Sequence, residues 1–401
     1  MQIKYYVIAK IRYNFIISYR THSIRIIKMV STLSLLVFPV DMDAAKHFIS
    51  VSQSLGVNII GASSVASPNI MVDLDHFTHM PYITDPAFTA ALKAAVEDYS
   101  VTHIYTPHPG VWAHLKYLQT QQPDHYSFKL CHPSPVQTIW DDTVSSYEWA
   151  ENMALDVFLN TLESYPGSTL KPRLTRGRYI SLHKQFFRIP GESDINKLTA
   201  LAHISRTLPQ GDLIEIGSFC GRSAFAIAWL AKQYEIGNLI SIDPWSSQKI
   251  EQQGQQAEIL NRRIGVIDFD KIFLVYISNM LLLDNVGYIR EISSKAINQY
   301  KQTAQQGILN SSELSPISVS GAISLLHIDG NHHYTHVCQD IDAWAPYVMP
   351  GGWILLDDYV WAFGDGPKRA GDELLASRNF DLAFSMGDTL YLRKMTASDN
   401  L

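Results

Sequence analysis

The run Leu213-Ile214-Glu215-Ile216-Gly217-Ser218-Phe219-Cys220-Gly221-Arg222-Ser223, followed by the apolar stretch 224–230, constrains this chain more than any other segment. An apolar strand ends at Ile216, a loop with two glycines follows, and a helix begins near Gly221. Such a loop lets backbone N–H groups approach a ligand closely at a helix N-terminus. Asp243 closes the next strand, 26 residues after Gly217. In open parallel sheets ligands sit at the carboxyl ends of strands, where an acid can grip ribose hydroxyls. The glycine spacing is G-x-x-x-G, whereas G-x-G-x-x-G is what seats a pyrophosphate. Phe219 stands where the second glycine of that pattern would be. NAD is therefore disfavoured, and a nucleoside without a pyrophosphate fits better.

Around this run the chain alternates short apolar strands with helical segments. Strands are predicted over 213–216, 238–242, 288–292, 323–328 and 353–356, with a closing hairpin over 382–384 and 389–392. That alternation predicts a doubly wound sheet with one antiparallel strand. The segment 248–285 is longer than one crossover needs and predicts extra helix. Earlier in the chain, strands over 35–40, 57–60 and 102–105 alternate with helices over 43–55 and 86–99, which predicts a smaller parallel sheet. Between the two, 145–162 reads as an amphipathic helix and 165–178 as a Pro- and Gly-punctuated basic linker.

The second constellation is His327-Ile328-Asp329-Gly330-Asn331-His332-His333-Tyr334, followed by Pro350-Gly351-Gly352 and Asp357-Asp358-Tyr359. Asp329 ends one strand, and Asp357 and Asp358 end the next. Adjacent strands place those ends about 5 Å apart. Three carboxylates at one sheet edge repel unless a cation or protons compensate. Hard oxygen ligands suit Mg²⁺, with Mn²⁺ or Ca²⁺ as alternatives. The competing reading is structural, with one aspartate capping a helix and another meeting an arginine or lysine. Asp340 reads as an exposed helical acid. Trp361, Phe363 and the 364–366 loop are candidates for an acceptor pocket or for ordinary loop packing. His108, in a Pro-His-Pro loop, reads as a histidine satisfied by backbone.

The stretch 215–223 resembles the first motif, E-x-G-x-x-x-G-x-S, of class I S-adenosylmethionine-dependent methyltransferases, and Asp243 resembles their ribose-binding acid. The pattern D-G-x-H-x-Y followed by P-G-G and D-D-Y resembles metal-assisted small-molecule and sugar O-methyltransferases of the macrocin type and the cephalosporin-hydroxylase-like group. The resemblance implies an α/β fold with a Rossmann-like seven-stranded sheet. It implies S-adenosylmethionine bound by Glu215, Gly217, Ser218, Phe219, Gly221, Ser223 and Asp243. It implies Mg²⁺ or another divalent cation held by Asp329, Asp357 and Asp358. His332 and Asp329 are then the catalytic residues, His332 as base at a position where catechol-type relatives carry lysine. The adjacent His333 is the other candidate to face the site. The sequence 35–64, with Tyr105 and His108, is similar to the pre-ATP-grasp domain, which implies a Rossmann-like fold; no ATP-grasp domain follows it.

These readings divide the chain into a basic extension (1–32), a pre-ATP-grasp-like α/β domain (33–135), a helical linker (136–190), a methyltransferase domain (191–395) and a tail (396–401). The first 40 residues carry six basic residues and no acid, so they are either a targeting segment or, with Met29 as the true start, an upstream extension. Over all 401 residues the net charge is −6, which argues against a nucleic-acid partner. Three cysteines exclude a disulfide scaffold and a paired-cysteine zinc site and suit a reducing cytoplasm. No stretch reaches 18 uninterrupted apolar residues, so no membrane span is expected. The expectation is a cytoplasmic enzyme, open to homo-oligomer formation, that methylates a small hydroxylated metabolite or sugar. A metal-independent methyltransferase and a non-catalytic nucleoside-binding scaffold are the alternatives.

Overall fold

The computed structural model describes residues 33–65, 74, 76–155, 170–247, 262, 266–360, 362–377 and 379–396. The chain divides into two units, one ending at Ser145 and one beginning at Ser146. The basic extension, most of the tail and Trp361 lie outside the described residues.

The first unit contains β1 (Ser34–Val37), α1 (Asp43–Ser54), β2 (Asn58–Ser63), β3 (His76–His79), α2 (Phe88–Asp98), β4 (His103–Tyr105), α3 (Pro109–Gln121) and β5 (Lys129–Leu130). Its five strands are all parallel, in the order β3-β2-β1-β4-β5. The central β1 is buried on both faces: Leu36 enters one cluster with Phe88, Leu92 and Leu115, and Leu35 and Val37 enter another with Ala45 and Ile49. A continuous apolar run is the signature of such a strand. Both flanking edge strands escape the sequence reading because β3 is histidine-rich and partly exposed and β5 has only two residues. His108 caps α3, its Nδ1 accepting from the backbone N–H of Gly110 and Val111, as the sequence suggests.

The helix α4 (Pro135–Leu155) leads into the second unit, which continues with α5 (Arg176–Arg188), α6 (Ile195–Ile204), β6 (Asp212–Ile216), α7 (Arg222–Gln233), β7 (Leu239–Ile242), α8 (Phe269–Met280), β8 (Val286–Ile289), α9 (Ser293–Gln306), β9 (Ile308–Leu309), β10 (Ile317–Ser318), β11 (Ile323–Ile328), α10 (Tyr334–Trp344), β12 (Val348–Leu356), α11 (Gly366–Ala376), β13 (Phe380–Met386) and β14 (Thr389–Lys394). The seven-stranded sheet runs β13-β14-β12-β11-β6-β7-β8, with β14 antiparallel to both of its neighbours and the other pairs parallel. Alternate strand residues feed two cores. Leu213, Leu325, Trp353 and Tyr391 meet α5, α6 and α7, while Ile214, Ile240, Leu326 and Ile354 meet α9 and α10. The antiparallel pair β9–β10 was not legible in the sequence, and β8 starts and ends earlier than expected. No helix among the described residues is long and apolar enough to cross a membrane.

The reading of 136–190 as a linker is corrected over α5. Tyr179, Leu182 and Phe186 are buried in the core of the second unit, and α5 packs on α7. Their spacing places them on one helical face, and the surrounding arginines and lysines hide that face in the composition. The core of the second unit thus takes in helices before residue 191.

Candidate functional site

A cavity of about 510 Å³ opens at the carboxyl ends of β6, β7, β11 and β12. At one end the turn after β6 lies against the backbone that follows β11. A Cβ on Gly217 would fall 1.9 Å from the carbonyl oxygen of Asp329, and the residue has φ +85°. Only glycine fits that approach. Gly217, Ser218, Phe219, Ser223 and Asp243 all line the cavity.

Asp243 holds the loop in shape. The N–H groups of Ser218 and Phe219 donate to its Oδ2 at 3.1 and 3.0 Å, and the N–H of Trp245 donates to Oδ1 at 2.7 Å. Burial pushes its carboxyl up to about 6, against the pull of those three donors. Three of its roughly four acceptor sites therefore serve its own loop, which leaves about one for a ribose hydroxyl.

Two residues expected to touch the nucleoside do not line the cavity. Glu215 is fully buried, accepts from Ser218 Oγ at 2.6 Å and pairs with His327 Nδ1 at 3.1 Å. It braces the loop from behind. Gly221, at φ +87°, caps the start of α7, where a Cβ would run into Met280 and Tyr276. In a strand buried on both faces, alternation does not say which face meets a ligand.

Arg222 was not singled out as a wall-builder. Its Nε and Nη1 donate to the carbonyls of Ile189 and Ser193 at 2.7 and 2.9 Å, and its guanidinium lies 5.6 and 5.8 Å from the rings of Phe186 and Phe187. This pins the segment 189–193, part of which lines the cavity.

At the other end stand Asp329, after β11, and Asp357 and Asp358, after β12. Asp329 comes within reach of each of the other two, while Asp357 and Asp358 fall in different clusters around it. Lys197 of α6, only 2% exposed, forms an ion pair with Asp357, and its Nζ is 3.8 Å from Asp329 Oδ2. Thr389 Oγ1 also donates to Asp357. Burial alone would depress the lysine, but Asp357 and Asp329 outweigh it and hold the ammonium above its usual range. Burial likewise opposes Asp357, yet Lys197 and His327 keep its carboxyl well below normal, while burial and the Asp357 charge raise Asp329. Asp358, at φ +52°, turns away from its neighbour and pairs with His332 Nε2.

The result is two overlapping clusters that share Asp329. In one, ligand atoms of His327, Asp329 and Asp357 lie within 4.8 Å of one another; in the other, those of Asp329, His332 and Asp358 do. Lys197 is already bonded to Asp357 in the first. The second offers two carboxylates and an imidazole, a donor set that fits a divalent cation. His332 lines the cavity and His333, which precedes α10, does not. Asp340 is buried rather than exposed, and accepts from Ser293 Oγ. Phe363 and Gly364 line a separate shallow depression.

Residues 214–359 match the family model described as a methyltransferase domain. An uncharacterized protein of Acanthamoeba polyphaga mimivirus is 27% identical over 161 residues, 40% of this chain and 57% of that protein. The match thus spans little more than half the length of this curated relative. Among solved structures, the O-methyltransferase NovP aligns at 18% identity over 62% of this chain and 99% of its own, with a TM-score of 0.38. The MycE methyltransferase from the mycinamycin biosynthetic pathway, solved with Mg and SAH, aligns at 15% identity over 54% of this chain and 53% of its own, with a TM-score of 0.33.

Proposed function

We propose, from the methyltransferase domain that the second unit carries, that this chain moves a methyl group from S-adenosylmethionine to a hydroxyl of a small molecule or sugar, assisted by a divalent cation. The observation that carries this reading is the two-ended cavity: a glycine loop braced by Asp243 at one end, and carboxylates with an imidazole at the other. A net charge of −6 favours a small acceptor over nucleic acid.

S-adenosylmethionine, when bound, supplies an electrophilic methyl group on a sulfonium. A divalent cation at Asp329 and Asp358 would supply positive charge that lowers the pKa of an acceptor hydroxyl. The loop 217–219 would hold the nucleoside, with Asp243 presenting its remaining lone pairs to the ribose. Asp329 and His332 stand at the acceptor end as groups able to take the hydroxyl proton. The main work of the protein is alignment: the close approach of Gly217 to the Asp329 backbone fixes the distance between the two ends.

A metal-independent methyltransferase is the second reading, favoured by one observation. Lys197 already places a cation beside Asp329 and Asp357. Calorimetry with S-adenosylmethionine and S-adenosylhomocysteine tests the nucleoside assignment, and binding of NAD in their place would overturn it. Turnover against a panel of small hydroxylated acceptors separates the two readings. Loss of activity in excess chelator, restored by Mg²⁺, supports the assisted reaction; full activity in chelator supports the second reading.

A further inference from the structure

We propose that the outer face of α8 is an interface between two copies of this chain, with the two helices antiparallel about a two-fold axis at Ser278. The occupant is a second copy because this face is complementary to itself, both in its apolar positions and in its charges.

The inner face of α8 is already spent: Phe273, Tyr276, Ile277 and Met280 are buried in the core of the second unit. A surface helix satisfied in this way carries polar residues on its other side. Here the outer side, with the turn that follows the helix, presents Leu274, Leu281 and Leu282 at 64, 60 and 71% exposure. At about 100° per residue these three share one face with Lys271 and Ser278, opposite the buried stripe. Single exposed leucines are ordinary, but three gathered on one face mark an interaction surface.

A two-fold axis brings each residue against the one at the mirrored distance on the other copy. With the axis at Ser278, Leu274 meets Leu282 of the second copy, and Leu281 meets its half-buried Val275. The serine on the axis is small enough for helix axes about 8–10 Å apart. The ends match in charge. Lys271, 80% exposed, pairs with Asp268 at 2.9 Å at one end, and Asp284, 72% exposed, pairs with Lys232 at 2.7 Å at the other. Asp270, beside them, is held by Arg290. The antiparallel alignment carries the first pair to the second, so that Lys271 faces Asp284 across the interface. Exposed pairs of this kind are weak and readily shared. A parallel alignment would instead set Lys271 against Lys271 and Asp284 against Asp284. The three leucines expose about two whole side chains per copy. With the flanking charges this reaches only the low end of specific interfaces, below about 1,200 Å² in all, so the dimer is reversible, with a Kd on the order of micromolar.

Sedimentation velocity of the full chain, from about 1 to 100 µM, is the test. The expected result is a monomer–dimer equilibrium. Leu274→Glu and Leu282→Glu should each weaken the dimer at least tenfold. Both side chains are exposed, so the circular dichroism melt of each variant should match that of the unsubstituted chain, which separates a lost interface from a lost fold. Lys271→Glu should weaken the dimer at least threefold, and adding Asp284→Lys to the same chain should restore it, because the two positions face each other across the axis. A dimer indifferent to both leucine substitutions would overturn the assignment of this face. Failure of the charge swap to restore association would overturn the antiparallel alignment. A chain that stays monomeric at 100 µM would overturn the proposal and leave the face to a different protein or to another segment of this chain.

Discussion

Gly217 shows how much one residue can decide. Its left-handed backbone and its contact with the Asp329 carbonyl leave no room for a methyl group. Gly217→Ala should cost at least about 2 kcal/mol, since the left-handed conformation alone costs 1–2 kcal/mol for an L-residue. Urea unfolding measures this, and an unchanged midpoint would contradict the packing described. Asp243 gives a pH signature with two opposite signs. Its carboxyl is raised to about 6 in the fold. Its contribution to the stability of the ligand-free chain is therefore full below the ordinary aspartate range and lost as pH rises through about 6. Ribose hydroxyls donate to the ionised form, so S-adenosylhomocysteine affinity should fall as pH drops through about 6. Calorimetry between pH 5 and 8 should show this slope, flattened in Asp243→Asn. Both residues were singled out in the sequence, Gly217 from the loop motif and Asp243 from its place at the end of the next strand. The Lys197–Asp357 pair was not: 160 residues separate its members, and no local pattern marks this helical lysine as the partner of a distant acid. The weaker alternative, an aspartate meeting a basic residue, turned out to describe Asp357.

Among the elements, β6, β11 and β12 were readable because short, largely apolar runs ending in glycine or aspartate have few other interpretations. Two-residue strands such as β9 and β10 carry too little pattern to be seen. The helix α5 was misread because its charged face dominates its composition, whereas its buried face is set by only four residues. One of those four gives a test. His183 bonds Ser146 Oγ through Nδ1 at 2.9 Å and packs beside Trp149 and Phe187. Burial lowers its pKa to about 4. The unfolded chain then binds the extra proton first, so this contribution is present above about 6.5 and is lost as pH falls from there toward 4. Thermal midpoints should drop over that window, and the drop should be smaller in His183→Gln. Identical pH profiles would show that the ring is solvated.

For the whole molecule, each unit has a sheet and core of its own, which predicts separable folding. A chain starting at Ser146 should fold cooperatively and bind S-adenosylhomocysteine. One starting at Gln185 lacks Tyr179, Leu182 and His183 and should unfold at a markedly lower temperature or be insoluble. Circular dichroism melts of the two fragments decide this, and equal stability would restore the linker reading of α5. The buried pair also has a meaning in time. Lys197 leaves the ribosome well before Asp357, and Thr389 follows later still. A chain still being synthesised therefore carries a lysine with no counter-ion, and the acid cluster can take its final shape only after the last hairpin has joined the sheet. Contacts this distant in sequence close slowly. The acceptor end should accordingly be among the last parts of the molecule to gain protection from hydrogen exchange during refolding, well after the strands that support it.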